Sequence, residues 1–171
     1  MRKDFYKHDD AYIKWDELCR IGDHVAIDKG SYSTVVMDLG DYVHLAPYTV
    51  VIGGLDSTLV MGHFSGLSAG CKVICGGDDF ATGALMNPQV PIKYREPKST
   101  TVTFEPFSCI GVGTVVMPGI TLAEGSVVGS NSVVTKNTEP WTIYLGNPAK
   151  PVKIRPKEKA YKYAKELGYE F

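Results

Sequence analysis

Four histidines are the side chains in this sequence best suited to proton transfer near neutral pH: His8, His24, His44 and His63. Imidazole has an ordinary pKa close to pH 7, so it can act as a general base when a nucleophile must lose a proton. Asp78 and Asp79 form a carboxylate pair within a stretch rich in glycine and proline, and carboxylates do the same kind of chemistry. Whether these groups can work together depends on the elements that hold them.

A six-residue rhythm of aliphatic residues supplies those elements. Large apolar residues return at the first position of fifteen hexads, with one polar exception and a slip at residues 57 to 60: Ile21, Ile27, Ser33, Leu39, Leu45, Val51, Met61, Leu67, Val73, Phe104, Ile110, Val116, Leu122, Val128 and Val134. Each hexad reads as one short strand and a corner, so three hexads close a triangular coil. Successive coils then pair in parallel at about 4.8 Å. The pattern therefore predicts an all-β solenoid, since an antiparallel sandwich would alternate with period two.

The hexad frame also places the histidines. His24, His44 and His63 belong to the first hexad of consecutive coils, at its fourth, sixth and third positions. None takes an inward first or fifth position, so we expect the three to share one wall of the solenoid. His8 lies outside the repeats and is expected at the surface.

Breaks in the frame define the organisation of the chain. We predict an N-terminal cap of helix or turns over residues 1–20, a solenoid over 21–155 with a loop excursion at 76–103, and a C-terminal helix over 156–171. That helix carries Ala160, Tyr163, Ala164 and Leu167 on one stripe. Trp141 is expected to cover the end of the last coil. A loop as long as 76–103 on a solenoid is typically functional.

Composition excludes several classes of protein. The 171 residues suit one core-forming domain, and a net charge of -1 argues against a surface dominated by nucleic-acid binding. No stretch approaches the length of a membrane span, and the first residues lack a secretory apolar core. Cys19, Cys71, Cys75 and Cys109 show no metal-finger spacing. We therefore expect a cytoplasmic protein with free thiols.

Three segments carry a resemblance to a known family: "HLAPYTVVIGG", "DDFATGALMNPQVP" and "EPWTIYLGNPAKPVK". With the hexads, they resemble the left-handed parallel β-helix acyltransferases of the hexapeptide-repeat type. The likeness is to the maltose/galactoside O-acetyltransferase branch and to sugar N- and O-acetyltransferases of surface polysaccharide biosynthesis. It implies a left-handed β-helix with a projecting loop, acetyl-coenzyme A as donor, and a homotrimer with active sites at subunit interfaces. From the composition described above, neither nucleic-acid binding nor membrane insertion is expected.

The same resemblance suggests roles for individual residues. Galactoside-type enzymes usually carry a catalytic histidine at the base of the arm, where this chain has Asp78, so the candidate catalytic residues are His44, His63, Asp78 and Asp79. Asp56 matches the position of an acceptor-binding aspartate, although its Gly-Gly-Leu-Asp-Ser context also suits a turn. The positions that match coenzyme A contacts are Gly111, Gly129, Ser130, Thr135, Lys136, Lys150 and Lys153, with Arg155 beside them.

Several functions stay open on the sequence. The first is acetylation of a nucleotide-linked amino sugar of the dTDP-4-amino-4,6-dideoxyglucose type, for lipopolysaccharide, O-antigen or capsule. The missing arm histidine favours this acceptor, because a free amine needs a strong base less than a hydroxyl does. O-acetylation of a galactoside or maltose-like sugar is the alternative. A γ-type carbonic anhydrase with a three-histidine zinc site is more distant, because its His-x4-His spacing is absent, and no metal is expected. A non-catalytic scaffold is the remaining class.

Overall fold

The computed structural model describes residues 3–14, 19–54 and 56–171 of the chain. It is a triangular prism of short parallel strands. The first coil has β1 (Tyr6–Lys7), β2 (Tyr12–Ile13) and β3 (Arg20–Ile21), and the second has β4 (Ala26–Ile27), β5 (Tyr32–Ser33) and β6 (Val36–Leu39). The third has β7 (His44–Leu45), β8 (Val50–Ile52) and β9 (Thr58–Met61).

The later coils follow the same order, with one interruption. The fourth coil has β10 (Gly66–Leu67) and β11 (Lys72–Ile74), then the arm strands β12 (Gly76–Asp78) and β13 (Pro97–Ser99), and closes with β14 (Thr101–Phe104). The fifth has β15 (Cys109–Ile110), β16 (Val115–Val116) and β17 (Thr121–Leu122). The last elements are β18 (Val127–Val128), β19 (Val133–Val134), β20 (Thr142–Leu145), β21 (Lys150–Ile154) and the helix α1 (Glu158–Glu166).

Three sheets form the walls of the prism. Sheet A runs β1-β4-β7-β10-β15-β18-β20-β21, sheet B contains β2-β5-β8-β11-β16-β19, and sheet C contains β3-β6-β9-β14-β17. The first hexad positions pair in register, as in Leu45 with Leu67 and Leu67 with Ile110. These side chains are almost fully buried, so the predicted ladder and the all-β solenoid are confirmed.

The N-terminal segment differs from the predicted helix or turns. β1 pairs with β4 and β2 pairs with β5, both in parallel, so strands of the solenoid begin before residue 21. The frame was missed because Lys7 stands in register with Ile27 at a first hexad position. Its ammonium donates to the carbonyls of His8 and Ala11 at 3.1 and 2.8 Å. Residues 15–18 of this segment lie outside the described residues.

The coils touch closely at the corner between sheets A and B. A Cβ on Gly111 would lie 2.6 Å from the backbone nitrogen of Ser130 in the next coil, and a Cβ on Gly129 would lie 2.0 Å from Leu145. A side chain on Gly111 would push successive coils apart, which accounts for glycine there, whereas beside Gly129 a methyl group of Leu145 fills the space that a side chain would take.

A stack of rings lines the corner between sheets C and A. His24, Tyr42, Phe64 and Phe107 each lie two residues before a strand of sheet A, and Trp141 lies one residue before β20. All five adopt a left-handed conformation, with φ between 50° and 62°. Successive centroids lie 4.4, 5.1, 5.3 and 5.7 Å apart. These rings thus stack at positions whose left-handed backbone conformation is unfavourable for residues other than glycine.

Trp141 does not cover the end of the last coil. Its ring lies where a side chain on Gly125 would stand, and it contacts Phe107, Tyr161 and the guanidinium of Arg155. Trp141, Phe107 and Ala164 form a small apolar cluster that fixes α1 to the prism. The predicted C-terminal helix is present, and Gly168 ends it with φ of 92°.

All irregular spacing falls at the third corner, between sheets B and C. From sheet A to B and from C to A, first positions are six residues apart in each coil, as in Leu45 to Val51 and Met61 to Leu67. Between sheets B and C the spacing varies, and the slip before β9 and the arm both lie there. We call this edge the variable corner.

Candidate active site

The arm is a hairpin that leaves the fourth coil at the variable corner. β12 and β13 pair antiparallel, with Gly77 opposite Lys98, and residues 79–96 form the projecting end. Gly76 is required where the arm leaves, since a Cβ there would lie 2.5 Å from the carbonyl oxygen of Lys98. Large apolar side chains are exposed along the arm: Phe80, Leu85, Met86, Ile92 and Tyr94.

A cavity of about 410 Å³ lies at the base of this arm. Its floor comes from Ile74 of β11 and from Met117 and Pro118 after β16 in the next coil. Phe80 and the Asp79–Lys98 pair border it from the arm. The cavity therefore joins apolar solenoid residues with charged arm residues in one space.

Both arm aspartates already have partners within the arm. Asp78 accepts bonds from Arg95, with Nη2 at 2.8 Å and Nε at 3.0 Å, and from the backbone N–H of Asn87 at 2.7 Å. These bonds lower the pKa of the Asp78 carboxyl. Asp79 pairs with Lys98 and accepts the N–H of Ala81, which likewise lower its pKa. Each is thus held as an anion that shapes the arm, and a catalytic role for either stays a prediction.

His44 has the geometry of a general base. It lies exposed on the outer face of sheet A, and its Nε2 stands 2.8 Å from Oδ2 of Asp28. A carboxylate on one ring nitrogen fixes the tautomer and leaves Nδ1 able to accept a proton. A groove of about 370 Å³ beside it is lined by Ser65, Ser68 and Cys109, among others. Ser68 adds a hydroxyl to this groove, and nothing in the sequence of its turn distinguishes it.

His63 and His24 are engaged at the corner between sheets C and A. The Nδ1 of His63 accepts the backbone N–H of Asp41 at 2.9 Å, and its ring contacts Tyr169 and Phe171. His24 stacks on Tyr42, which makes it part of the ring stack. The predicted wall is therefore divided: His44 lies on sheet A, while the other two support the neighbouring corner.

Asp56 lies exposed in the turn between β8 and β9, one coil before the arm on the variable corner. A Cβ on the nearby Gly54 would lie 2.8 Å from the hydroxyl of Ser99 at the arm base. The proposed acceptor contact of Asp56 stays a prediction, and this position is compatible with it.

The predicted coenzyme contacts divide between corners. Gly111, Gly129 and Ser130 lie at the corner between sheets A and B, where close packing of the coils accounts for Gly111. Thr135 and Lys136 follow β19 at the variable corner. Because Val116 pairs with Val134, Thr135 lies one coil beyond Met117 of the cavity.

The three basic residues near the end of the solenoid are not equivalent. Lys150 and Lys153 lie exposed on β21, the last strand of sheet A, whereas Lys136 follows β19 of sheet B. Arg155 Nη1 donates to the carbonyls of Phe107 and Gly125 at 2.8 and 2.9 Å. Arg155 therefore holds β21 and α1 to the prism, so it is no longer a phosphate-binding candidate.

Comparison with known proteins places this geometry in a family. No protein-family model matches the sequence. The chain is 31% identical over 141 residues to a dTDP-4-amino-4,6-dideoxy-D-glucose acyltransferase of Escherichia coli, a match covering 81% of this chain and 72% of that protein. The chain belongs to the hexapeptide-repeat acyltransferases.

Solved structures agree with this assignment. The N-acyltransferase AntD of Bacillus cereus, solved with dTDP-4-amino-4,6-dideoxyglucose and coenzyme A, is 28% identical with a TM-score of 0.89, covering 97% of this chain and 88% of AntD. AntD has also been solved with dTDP and 3-hydroxybutyryl-CoA. A maltose O-acetyltransferase from Clostridium difficile is 21% identical with a TM-score of 0.55, over 70% of this chain and 59% of that one, and shows the fold alone. The resemblance seen in the sequence is confirmed, as is the left-handed β-helix.

Neither a metal-binding cluster nor a membrane-spanning helix is found in the part of this acyltransferase that the structure describes. Within residues 3–14, 19–54 and 56–171, no three His, Cys, Asp or Glu side chains are arranged to hold a metal ion. The carbonic anhydrase alternative thus gains no support from the positions of His24, His44 and His63. In the same ranges, no helix has the length and apolarity needed to cross a bilayer.

The candidate groups of the acyltransferase do not converge within one chain. His44 lies on sheet A, whereas the arm, its cavity, Asp56 and Lys136 lie on the variable corner. In a triangular prism, the edge between sheets B and C is opposite sheet A. A single chain therefore carries two separate halves of the predicted site.

Proposed function

We propose that this acyltransferase moves an acyl group from coenzyme A to the amino group of a nucleotide-linked amino sugar of the dTDP-4-amino-4,6-dideoxyglucose type. The observation that carries the proposal is the similarity to AntD, solved with this sugar nucleotide and coenzyme A, along 97% of the chain. A product of this kind serves surface polysaccharide synthesis. Coenzyme A and the four free cysteines suit the cytoplasm.

The site forms between copies of the chain in a homotrimer. The opposite placement of His44 and the arm cavity supports this arrangement, because a neighbouring copy can bring its arm to the sheet A groove. The exposed apolar side chains of the arm also favour it: Phe80 is 75% exposed and Ile92 66% exposed, and such surface is typically covered by a partner. In this arrangement, Lys136 of one subunit contacts a coenzyme phosphate. The adjoining subunit contributes Gly111, Gly129 and Ser130, which flank the pantetheine, and the cations of Lys150 and Lys153.

The reaction on an amine makes modest demands on the protein. The free amine attacks the thioester carbonyl, the C–S bond breaks, the amide C–N bond forms, and the departing thiolate takes up a proton. His44, fixed by Asp28, accepts the proton lost from the ammonium before attack. The arm positions the acceptor through its ordered carboxylates.

A second candidate is O-acetylation of a sugar hydroxyl. The 2.8 Å contact of His44 with Asp28 favours it, because a hydroxyl nucleophile needs such a base more than an amine does. The two products differ chemically: alkaline hydroxylamine releases an ester and leaves an amide intact.

The testing experiment is an assay of thiol release from acetyl-coenzyme A with dTDP-4-amino-4,6-dideoxyglucose and with simple galactosides. We expect a hydroxylamine-stable product from the amino sugar. Turnover of the galactosides alone would transfer the assignment to O-acetylation.

A complementation experiment tests the shared site. The variants His44→Ala and Phe80→Asp damage different halves, so each should lose most of its activity when alone. When the two variants are unfolded and refolded together, some sites in the mixed trimers combine two intact halves. If subunits assemble at random, this occurs at one site in about four, so we expect about a quarter of wild-type activity. No recovery from mixtures whose trimeric state is verified by light scattering would place both halves within one chain.

A further inference from the structure

The cavity at the arm base is built to hold hydrocarbon. Ile74, Met117 and Pro118 present aliphatic surface from two successive coils, and Phe80 stands over them from the arm. These four side chains offer no hydrogen bonds and suit hydrocarbon, while the polar part of the lining comes from Asp78, Asp79, Lys98 and Thr100. The volume of about 410 Å³ also exceeds what the single methyl group of acetate can fill.

The donor, if bound as proposed above, has its reacting end at this cavity. Met117 and Thr135 occupy equivalent positions of consecutive coils, and the N–H of Met117 donates to the carbonyl of Val134 at 3.0 Å. Lys136 thus lies on the same corner, further along the prism axis. A coenzyme that contacts Lys136 and follows this corner passes Met117, and the adjoining cavity is open to the acyl group on its sulfur.

We propose that this cavity is an acyl-chain pocket, in which Met117 and Phe80 set the length of the transferred group and favour chains longer than acetyl. The inference rests on the proposed function and specifies its donor. The chain carbons beyond the carbonyl keep their bonds during transfer, so selection operates through binding. Each buried methylene should strengthen donor binding about fourfold.

The rim of the pocket adds polar discrimination. The ammonium of Lys98, paired with Asp79, borders the cavity, and Lys98 is exposed enough to contact a ligand. Its remaining N–H groups suit a hydroxyl on the acyl chain, of the kind carried by the 3-hydroxybutyryl group with which AntD was solved. A short hydroxylated acyl group therefore fits this pocket in both volume and polarity.

Calorimetry in the absence of acceptor tests the pocket. Coenzyme A and its acetyl, butyryl, 3-hydroxybutyryl and hexanoyl thioesters are titrated into the wild-type protein and into Met117→Trp, Met117→Ala and Ile154→Trp. The wild type should bind butyryl-coenzyme A about 16-fold more tightly than acetyl-coenzyme A, since butyryl adds two methylenes. Met117→Trp fills the pocket and should abolish this preference without weakening free coenzyme A. Met117→Ala enlarges it and should shift the preference toward hexanoyl-coenzyme A.

Ile154→Trp is the control, because Ile154 is 72% exposed on β21 and lies outside the cavity. It should preserve the chain-length preference. Equal affinity for all acyl lengths, or a preference that Met117→Trp leaves unchanged, would overturn the acyl pocket while leaving the proposed function intact. Failure of the folded wild type to bind free coenzyme A would instead remove the proposed function.

Discussion

The hydroxyl of Tyr169 donates a 2.7 Å hydrogen bond to Oδ2 of Asp41, joining the end of the chain to the turn that precedes β7. Asp41 also accepts the N–H of Asp23 through Oδ1 at 2.7 Å, and its own N–H donates to His63. Burial acts to raise the pKa of the Asp41 carboxyl, but the bonds from Tyr169 and Asp23 and the charge of His63 lower it overall. The C-terminal segment is thereby fastened to the ring stack.

We expect Tyr169→Phe to lower the free energy of unfolding by about 1 kcal/mol, because the ring contacts remain and only the hydrogen bond is lost. Chemical denaturation at pH 7 measures the change. Tyr163→Phe serves as the control, since Tyr163 is exposed on α1. Equal stability of Tyr169→Phe and the wild type would mean that the contact contributes nothing to the folded state.

The same bond predicts an alkaline limit to stability. The hydrogen bond to Asp41, followed by burial, raises the pKa of Tyr169 to about 12. A raised pKa in the folded state gives stabilisation that is complete below the unfolded pKa near 10 and is lost as pH rises toward 12. The stability difference between wild type and Tyr169→Phe should therefore shrink between about pH 10 and 12. A constant difference across this range would exclude titration of Tyr169 as its cause.

His44→Ala should lower turnover about 100-fold while preserving oligomeric state and coenzyme binding, because it removes an exposed base and no core contact. Asp28→Asn should show a smaller loss and a shifted pH profile, since it removes only the partner of His44. Rates are measured by thiol release, and oligomeric state by light scattering. Unchanged turnover in His44→Ala would transfer the role of base to His63 or the arm aspartates.

Lys136→Ala should weaken coenzyme A binding roughly tenfold without changing acceptor affinity, because it removes one charged contact to phosphate. Dephospho-coenzyme A, which lacks the 3′-phosphate, provides the matched ligand. If Lys136 contacts that phosphate, the variant and the wild type should bind the dephospho form equally. Equal losses of affinity for donor and acceptor would count against the placement of Lys136 at the phosphate. Lys150→Ala tests the contact from the adjoining subunit in the same way.

Two buried serines should respond oppositely to removal of their hydroxyls. The hydroxyl of Ser57 is buried beside the arm base without a hydrogen-bond partner among the residues that the structure describes, whereas Ser108 donates to the carbonyl of Glu105 at 2.6 Å. Ser108→Ala should cost about 1 kcal/mol of stability, while Ser57→Ala should be neutral or stabilising. Thermal unfolding compares the two. A loss in Ser57→Ala as large as in Ser108→Ala would reveal a bond made by that hydroxyl in solution.

The repeating part of this fold is the part that can be predicted from the sequence. A period of six determines which residues point inward, so the pairing of Leu45 with Leu67 follows from the sequence alone. Prediction failed where an inward position carries an unexpected side chain, as with Lys7. It also failed where contacts join residues without a shared period: Asp78 meets Arg95 across the arm, and Asp41 meets Tyr169 over 128 positions. Such pairs depend on where the irregular segments return, which repeat spacing does not specify.

Because irregular spacing between first hexad positions occurs at one edge, the prism is a modular scaffold. The ring stack and the closely packed glycines hold the other two edges to an unchanging spacing, so a length change there would disturb each following coil. At the variable corner, a segment can be exchanged while the strands before and after it keep their partners. Natural divergence and laboratory grafting should therefore alter the chemistry of this enzyme by replacing arms at a single vertex, leaving the folding of its neighbours untouched.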